Sequence, residues 1–181
     1  MSDKDEFQKR IDAKVAEFEA GLRKRYHLPG QHDQESHGNW FHGSHEDVQQ
    51  FITRPVESID SFGTWVTSDA GKARELYGPK VKEVAAKDNL LVAHTDNFDD
   101  FFYSNKNLFQ KLFPGEQVSA LQKFKGKGLA KADPKLNAMR KTYLTAFKQM
   151  LQDSGYNGVV WRNSRIDLRK GDAPHDVAVL F

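Results

Sequence analysis

Residues 38–44, Gly38-Asn39-Trp40-Phe41-His42-Gly43-Ser44, place two large aromatic side chains directly before a histidine, a glycine and a serine. The aromatic residues favour a short buried strand that ends at the histidine. The glycine has no Cβ, so another backbone or a ligand can approach the chain closely at this point. Two interpretations of the histidine follow: a polar residue that closes a core strand, or a side chain on which a ligand docks.

The composition is that of a soluble, rather polar globular protein. The 181 residues, 38% hydrophobic and 29% charged, suffice for one domain with a core plus an appended segment. The absence of cysteine excludes disulfides, thiolate catalysis and cysteine-ligated zinc. No apolar run approaches the ~20 residues that span a bilayer, and the charged start "MSDKDEFQKR" is not typical of a secretory signal.

The net charge of +2 does not by itself indicate a nucleic-acid partner. Lysines nevertheless crowd residues 106–135. Such a run is typical of a solvated surface, and an acidic or nucleic-acid partner remains the alternative.

The N-terminal region predicts an amphipathic helix over residues 1–26 and a histidine-rich linker over residues 27–38. The helix carries one apolar stripe, formed by Phe7, Ile11, Val15, Phe18 and Leu22. This stripe must cover either the protein's own domain or a partner.

The linker contains four residues whose side chains can bind metal ions, His27, His32, Asp33 and His37. Their spacing matches neither a zinc-binding helix nor a known short zinc motif. An ordered turn or an interaction segment is therefore favoured over a metal site. Metal-dependent hydrolysis in this loop is a third functional class, which sensitivity to a chelator would reveal.

Residues 39–181 predict an α+β domain, because strands and helices mix without strict βαβ alternation. Strands are expected at 39–44, 62–68, 89–95, 158–164 and 176–181, the last two antiparallel, and helices at 46–52, 69–78 and 96–113. Ser68 or Asp69 would cap the helix that stops at Gly78. Residues 115–133 are expected to end in a mobile loop.

The clearest helix begins with Asp133 as N-cap and Pro134 in the first turn, and Gly155 ends it. Its predicted buried face consists of Leu136, Met139, Tyr143, Leu144, Phe147, Met150 and Leu151.

Short motifs follow one another along the domain in a particular order: Phe41-His42-Gly43-Ser44, Gly63-Thr64-Trp65, Tyr77-Gly78 at a helix end, and "YNGVVWRNS" paired with "HDVAVLF" at the close. This order resembles the ADP-ribosyltransferase fold in its histidine–tyrosine–glutamate branch. The similarity is greatest to the ADP-ribosyltransferase domains of phage polyvalent and head-associated proteins. It covers residues 39–181.

The resemblance implies a split antiparallel sheet with flanking helices, and transfer of ADP-ribose from NAD⁺ to a macromolecular acceptor with release of nicotinamide. NAD⁺ would be a substrate, and no metal is expected. The residues implied for NAD⁺ binding are His42, Gly43, Ser44, Gly63, Thr64, Trp65 and Tyr77; those implied for catalysis are His42, Tyr77 and Asp176.

The chemistry of NAD⁺ suits these residue types. Aromatic faces such as those of Trp65 and Tyr77 attract the flat nicotinamide cation, worth about 0.5–2 kcal/mol. The resemblance implies that His42 binds a ribose hydroxyl and that Gly43 lets the nicotinamide amide meet the backbone. A carboxylate near the ribose would stabilise the oxocarbenium-like transition state and activate the acceptor.

The closing strand pair departs from the family pattern because "GDAPHDVAVLF" contains no glutamate. Its carboxylates are Asp172 and Asp176. An aspartate is one methylene shorter, and a misplacement of about 1 Å can cost on the order of 100-fold in rate. An active transferase and a module that binds NAD⁺ without transferring it therefore both remain open.

The resemblance also implies a biological setting. The acceptor would be a host protein or a nucleic acid, and the N-terminal helix would dock on phage head proteins. The protein would act in the phage virion or the host cytoplasm, without a membrane partner. The competing non-enzymatic class is a virion or injected accessory protein, in which His42 is structural.

Overall fold

In a computed structural model, the strands of the chain form one six-stranded mixed sheet. The structure describes residues 6, 9–10, 12–15, 17, 40–46, 54–85, 89–93, 95, 97–125, 133–165, 168 and 170–181. The strands are β1 (Trp40–Ser44), β2 (Thr64–Thr67), β3 (Lys80–Val84), β4 (Leu90–Ala93), β5 (Gly158–Ser164) and β6 (His175–Leu180). Their order across the sheet is β3-β1-β2-β6-β5-β4. The α+β class predicted from the sequence is confirmed.

The expectation of a purely antiparallel sheet is wrong at one edge. β4 pairs with β5 in parallel, whereas all other neighbours are antiparallel. A parallel pair needs a long crossover connection, and the helices between β4 and β5 supply it. The predicted antiparallel pairing of β5 and β6 is confirmed.

The sheet has a seam between β1 and β2. These two strands pair only at Phe41↔Thr67. By contrast, β1 pairs with β3 along its whole length, from Trp40↔Val84 to Ser44↔Lys80. The sheet therefore opens between β1 and β2 beyond this single position.

Among the described residues from position 40 onward, the helices are α1 (Ala70–Tyr77), α2 (Phe98–Phe102), α3 (Lys106–Leu112) and α4 (Pro134–Asp153), with 3₁₀ turns at Ile59–Ser61 and Val118–Phe124. Asp69 caps α1 by accepting a hydrogen bond from the backbone N–H of Lys72 at 2.9 Å. Asp133 caps α4 through Leu136 N–H at 3.1 Å, as the sequence predicts.

Residues 96–113 form two helices instead of the one expected. The side chain of Asn97 caps α2, and that of Asn105 caps α3 by accepting from Leu108 N–H at 3.0 Å. Asparagine caps helix starts well because its side-chain oxygen replaces a missing backbone acceptor. A second such residue therefore begins a second helix.

Alternating residues of β5 and β6 enter two separate apolar clusters. Val159, Trp161 and Val179 pack with the helices on one face of the sheet. Val160, Ala178 and Leu180 pack with Trp40 and Val66 on the other. Both faces are buried, so the central strands are apolar throughout.

The predicted buried face of α4 is confirmed at six of its seven positions, Leu136, Met139, Tyr143, Leu144, Phe147 and Leu151. Met150 is only partly buried, whereas Lys148 is buried with its Nζ 5.6 Å from the Phe181 ring centroid. The lysine extends its apolar stem over an aromatic face, which lets a charged residue occupy this position.

The segment 115–133 contains the 3₁₀ turn Val118–Phe124, whose Leu121 and Phe124 are buried. Residues 126–132, where a mobile loop was expected, lie outside the described residues. The strand β3 was not predicted, because its sequence Lys-Val-Lys-Glu-Val is largely polar. It lies at the sheet edge, where exposed lysines are tolerated.

The N-terminal predictions fall mostly outside the described residues. The described positions 6, 9–10, 12–15 and 17 are helical, and Val15 of the apolar stripe is 38% exposed. The linker 27–38, most of the predicted helix 46–52 and the rest of the stripe lie outside them. No helix in the described part of the chain has the length and apolar character to cross a membrane.

Candidate functional site

The seam between β1 and β2 opens into a cleft of about 820 Å³. This volume is within the usual range for small-molecule and cofactor sites. The sequence-predicted residues that line it are His42, Gly43, Ser44, Gly63, Trp65 and Tyr77. The cleft is also lined by His45, Ser58, Ile59, Asp60, Asn97, Phe98, Asp99, Tyr103, Phe124 and Arg140. Thr64 and Asp176 are outside the lining.

His42 fastens the open part of the seam. Its ring Nδ1 lies 2.7 Å from the backbone carbonyl oxygen of Trp65. A carbonyl can only accept, so Nδ1 carries the hydrogen and donates it. The lone pair of the neutral ring is then on Nε2. One side chain thus joins the two strands.

The indole of Trp65 is held at a fixed angle in the cleft wall. Its Nε1–H donates to the carbonyl oxygen of Ile59 at 3.0 Å. The ring stacks on Trp161 with centroids 5.5 Å apart and an interplanar angle of 25°, and it lies 4.8 Å from the Phe98 ring. Trp65 is only partly buried, so an ordered aromatic surface remains available to a flat ligand.

The glycine after His42 allows a helix to pack on the strand. A Cβ on Gly43 would lie 2.0 Å from the carbonyl oxygen of Ala73 in α1. A Cβ on Gly78, which follows α1 with φ +134°, would lie 2.5 Å from the carbonyl carbon of Ser44. These two backbone contacts hold Tyr77, the last residue of α1, at the same cleft as His42.

Gly63, just before β2, likewise allows two backbone segments to pack closely. A Cβ there would lie 2.4 Å from the carbonyl oxygen of Leu180. The missing side chain allows the end of β6 to approach the start of β2. Thr64, the next residue, pairs with Leu180.

The carboxylate of Asp176 is occupied within the sheet. It accepts from Arg162 Nη1 at 3.1 Å and from the backbone N–H of Asn163 at 2.9 Å. Asn163 has a positive φ of 48°, and the β5–β6 register shifts between Trp161 and Ser164. Asp176 therefore stabilises a bulge, away from the cleft lining.

The second carboxylate of this region is paired too. Asp172 Oδ2 lies 2.5 Å from Nζ of Lys72 in α1. This hydrogen bond is the main cause that raises the pKa of Lys72 above its usual value. Neither aspartate near the closing strand belongs to the cleft.

The cleft has its own charged groups, which motif reasoning missed. Asp60 comes from a 3₁₀ turn, Asp99 from α2 and Arg140 from α4. They lie on three segments that carry no short motif, so only the tertiary fold brings them together. The sequence signal that comes closest to them is Asn97, a good helix N-cap residue, which fixes the start of α2 and so the position of Asp99.

Tyr103 lies at the same place as these charges. Burial is the main cause that raises the pKa of its phenol above the usual range. The nearby Arg140 charge opposes this rise in pKa, whereas Asp99 and Asp60 add to it. The phenol therefore stays protonated and remains a hydrogen-bond donor at neutral pH.

The described residues contain no group of three or more side chains that would hold a metal ion. The predicted alternative metal ligands His27, His32, Asp33 and His37 lie outside them. Comparison of the chain with known protein families, with curated proteins and with solved structures gives no match.

Proposed function

We propose that the cleft binds NAD⁺ and that the protein transfers its ADP-ribose to a macromolecular acceptor with release of nicotinamide. The observation that carries this proposal is the convergence of His42, Trp65 and Tyr77 on one cleft. They come from β1, β2 and the end of α1. The motifs that resemble the ADP-ribosyltransferase family thus supply neighbouring surfaces.

The geometry suggests how the nicotinamide end would be held. The flat cation would lie against the aromatic surfaces of Trp65 and Tyr77, with attraction of about 0.5–2 kcal/mol. Nε2 of His42 would accept a hydrogen bond from a ribose hydroxyl, while Nδ1–H stays bound to the Trp65 carbonyl. The histidine ring is therefore already oriented before a ligand arrives.

In the proposed reaction the bond between nicotinamide and ribose breaks, and its electron pair goes to the nicotinamide nitrogen, which becomes neutral. A lone pair of the acceptor forms the new bond to the ribose carbon, and the acceptor loses a proton to a carboxylate of the cleft or to water. A carboxylate would stabilise the positive charge that develops on the ribose. Asp60 and Asp99 line the cleft and are the candidates for this role, in place of Asp176.

The second candidate function is a module that binds NAD⁺ without transferring it. The observation that favours it is the Asp176 carboxylate, which is bound by Arg162 and Asn163. For either function we propose a phage-encoded protein of the virion or host cytoplasm, with a host protein or nucleic acid as acceptor or a phage head protein as partner. This setting is supported only by the family resemblance.

Calorimetric titration with NAD⁺ tests binding, and chromatographic detection of nicotinamide tests turnover. The informative variant is His42→Asn, because the asparagine amide retains a donor for the Trp65 carbonyl but has no counterpart of Nε2. We expect this variant to keep its thermal stability and to bind NAD⁺ about tenfold more weakly or not at all.

Three results would be decisive. If the wild-type protein binds no NAD⁺, both candidate functions are wrong. If His42→Asn binds as well as the wild type, the role given to His42 is wrong. Binding without nicotinamide release, in the presence of host-cell extract as a source of acceptors, would select the binding module.

A further inference from the structure

Two polar side chains in the cleft lack the partners that buried groups normally have. Tyr103 is 2% exposed, and its hydroxyl makes no hydrogen bond with any described residue. The Nε–H of Arg140 is buried and has no hydrogen-bond partner there either. Both residues line the cleft. Buried polar groups are nearly always satisfied, so the Nε–H of Arg140 requires an explanation, and the Tyr103 hydroxyl beside it in the cleft also has no partner in the described part of the chain.

Arg140 retains most of its hydrogen-bonding capacity. A guanidinium has five N–H donors and is always charged. In this structure Nη2 donates to Asn137 Oδ1 at 3.2 Å, within the same helix. No described carboxylate forms an ion pair with Arg140. A permanent cation thus faces the cleft with unused donors.

The acidic residues of the cleft form no ion pair with this cation. Asp60, Asp99, Tyr103 and Arg140 all line the cleft, and the charges of the other three act on the pKa of Tyr103. Yet neither aspartate pairs with the guanidinium. Burial keeps the Tyr103 phenol protonated, since its pKa is raised. The Tyr103 hydroxyl and the Arg140 guanidinium can therefore both donate hydrogen bonds to a ligand in the cleft.

We infer that Tyr103 and Arg140 form an anion subsite in the cleft and that it binds the pyrophosphate of the dinucleotide. The inference rests on the proposed function and specifies which residues hold the pyrophosphate that joins the two nucleoside halves of NAD⁺. A guanidinium fork matches the spacing of phosphate oxygens, and a phenol adds a neutral donor. The carboxylates of Asp60 and Asp99 only accept hydrogen bonds, which suits the ribose hydroxyls on either side of a pyrophosphate.

Titration with ADP-ribose tests the subsite, because this ligand has the pyrophosphate but lacks nicotinamide. Arg140→Gln removes the charge and the fork, and we expect it to weaken ADP-ribose binding about 10- to 100-fold. Tyr103→Phe removes one oxygen that has no protein partner, so the fold is kept. We expect it to weaken binding about fivefold.

Lys141→Gln is the matched control. It makes the same change of charge on the neighbouring residue of the same helix, and its Nζ lies 3.6 Å from Glu57, outside the cleft lining. Its affinity for ADP-ribose should stay within about twofold of the wild type. Wild-type affinity in both Arg140→Gln and Tyr103→Phe would overturn the subsite, and so would an equal loss in Lys141→Gln.

A measurement on the wild-type protein needs a variant only to assign one signal. The buried Nε–H of Arg140 gives a nitrogen–proton NMR signal, assigned by its disappearance in Arg140→Gln. Added inorganic pyrophosphate should shift this signal in a saturable manner. If the signal does not move at pyrophosphate concentrations up to about 10 mM, the subsite is wrong.

The two proposals fail in different ways. Pyrophosphate binding that depends on Arg140, with no binding of NAD⁺ or ADP-ribose, would overturn the proposed function and confirm an anion subsite for another phosphorylated ligand. NAD⁺ binding that is lost in His42→Asn but unchanged in Arg140→Gln and Tyr103→Phe would overturn the subsite and leave the proposed function standing.

Discussion

The carbonyl oxygen of Ala73 occupies the space that a side chain on Gly43 would need, since a Cβ there would lie only 2.0 Å away. The obstacle is backbone of helix α1, which cannot swing aside as the end of a long side chain can. The close approach places α1, with Tyr77 at its end, beside the strand that carries His42. The glycine after His42 thus has a structural reason that operates before any ligand binds.

We therefore predict that Gly43→Ala destabilises the protein by roughly 2–3 kcal/mol, because α1 must move away from β1. Urea unfolding followed by circular dichroism measures this loss. Gly115→Ala is the matched control, since a Cβ at that position would meet nothing within 4 Å. A stability change for Gly43→Ala as small as that of the control would contradict the packing argument.

We predict that the Asp176 carboxylate contributes to stability and that the Asp60 and Asp99 carboxylates contribute to turnover. Asp176→Ala breaks two hydrogen bonds, one of them to Arg162, and should lower the free energy of unfolding by about 1–3 kcal/mol. NAD⁺ affinity of the folded variant should be unchanged. Asp60→Asn and Asp99→Asn should instead keep the stability, and at least one should reduce nicotinamide release by about tenfold or more.

Unfolding curves, NAD⁺ titrations and nicotinamide assays on the three aspartate variants check this division. Loss of turnover in a folded Asp176→Ala, with unchanged rates in both cleft variants, would return the catalytic role to Asp176. It would also mean that the bulge at Asn163, which Asp176 stabilises, rearranges when ligand binds.

Trp65→Phe should separate two contributions of the indole. The phenyl ring keeps an aromatic surface in the cleft but removes the indole donor to the Ile59 carbonyl, which still accepts from the backbone N–H of Phe62 at 3.1 Å. We expect a loss of stability of about 1 kcal/mol and a NAD⁺ affinity about three- to tenfold lower. Thermal unfolding and calorimetry measure the two effects. Undiminished affinity for NAD⁺ would show that the indole contributes nothing beyond what a phenyl ring supplies and would contradict this prediction.

Tyr103 predicts a dependence of stability on alkaline pH. Its folded pKa is raised above the usual 10.0, so the folded state binds the phenolic proton more tightly than the unfolded state does. The contribution of this proton to the free energy of unfolding is fully present below about pH 10 and is lost as the pH rises further. Tyr103→Phe should flatten this fall. Urea midpoints of both proteins between pH 8 and about pH 11 test it, and parallel curves would contradict it.

Local rules of sequence predicted those parts of the fold that depend on neighbouring residues. Helix α4 follows from Asp133, Pro134 and the apolar spacing that ends at Leu151, because capping and periodicity act within a few turns. The strand around His42 and the stop of α1 at Gly78 follow for the same reason.

Features set by distant parts of the chain were not predicted. The polar strand β3 forms because β1 offers an open edge, and Leu121 becomes buried because helices α3 and α4 pack over it. Likewise, Arg140 enters the cleft only because α4 packs where it does. One half of the candidate site thus came from motifs, and the other half is visible only in three dimensions.

The single pairing Phe41↔Thr67 between β1 and β2 has a mechanical meaning. A row of backbone hydrogen bonds normally keeps neighbouring strands from sliding past each other. Here the row is interrupted, and the His42 imidazole supplies a single hydrogen bond across the gap. A molecule bound between β1 and β2 would add further contacts between the strands. The sheet would then be more rigid when the cleft is occupied, and the hydrogen exchange of amides in β1 and β2 would slow together.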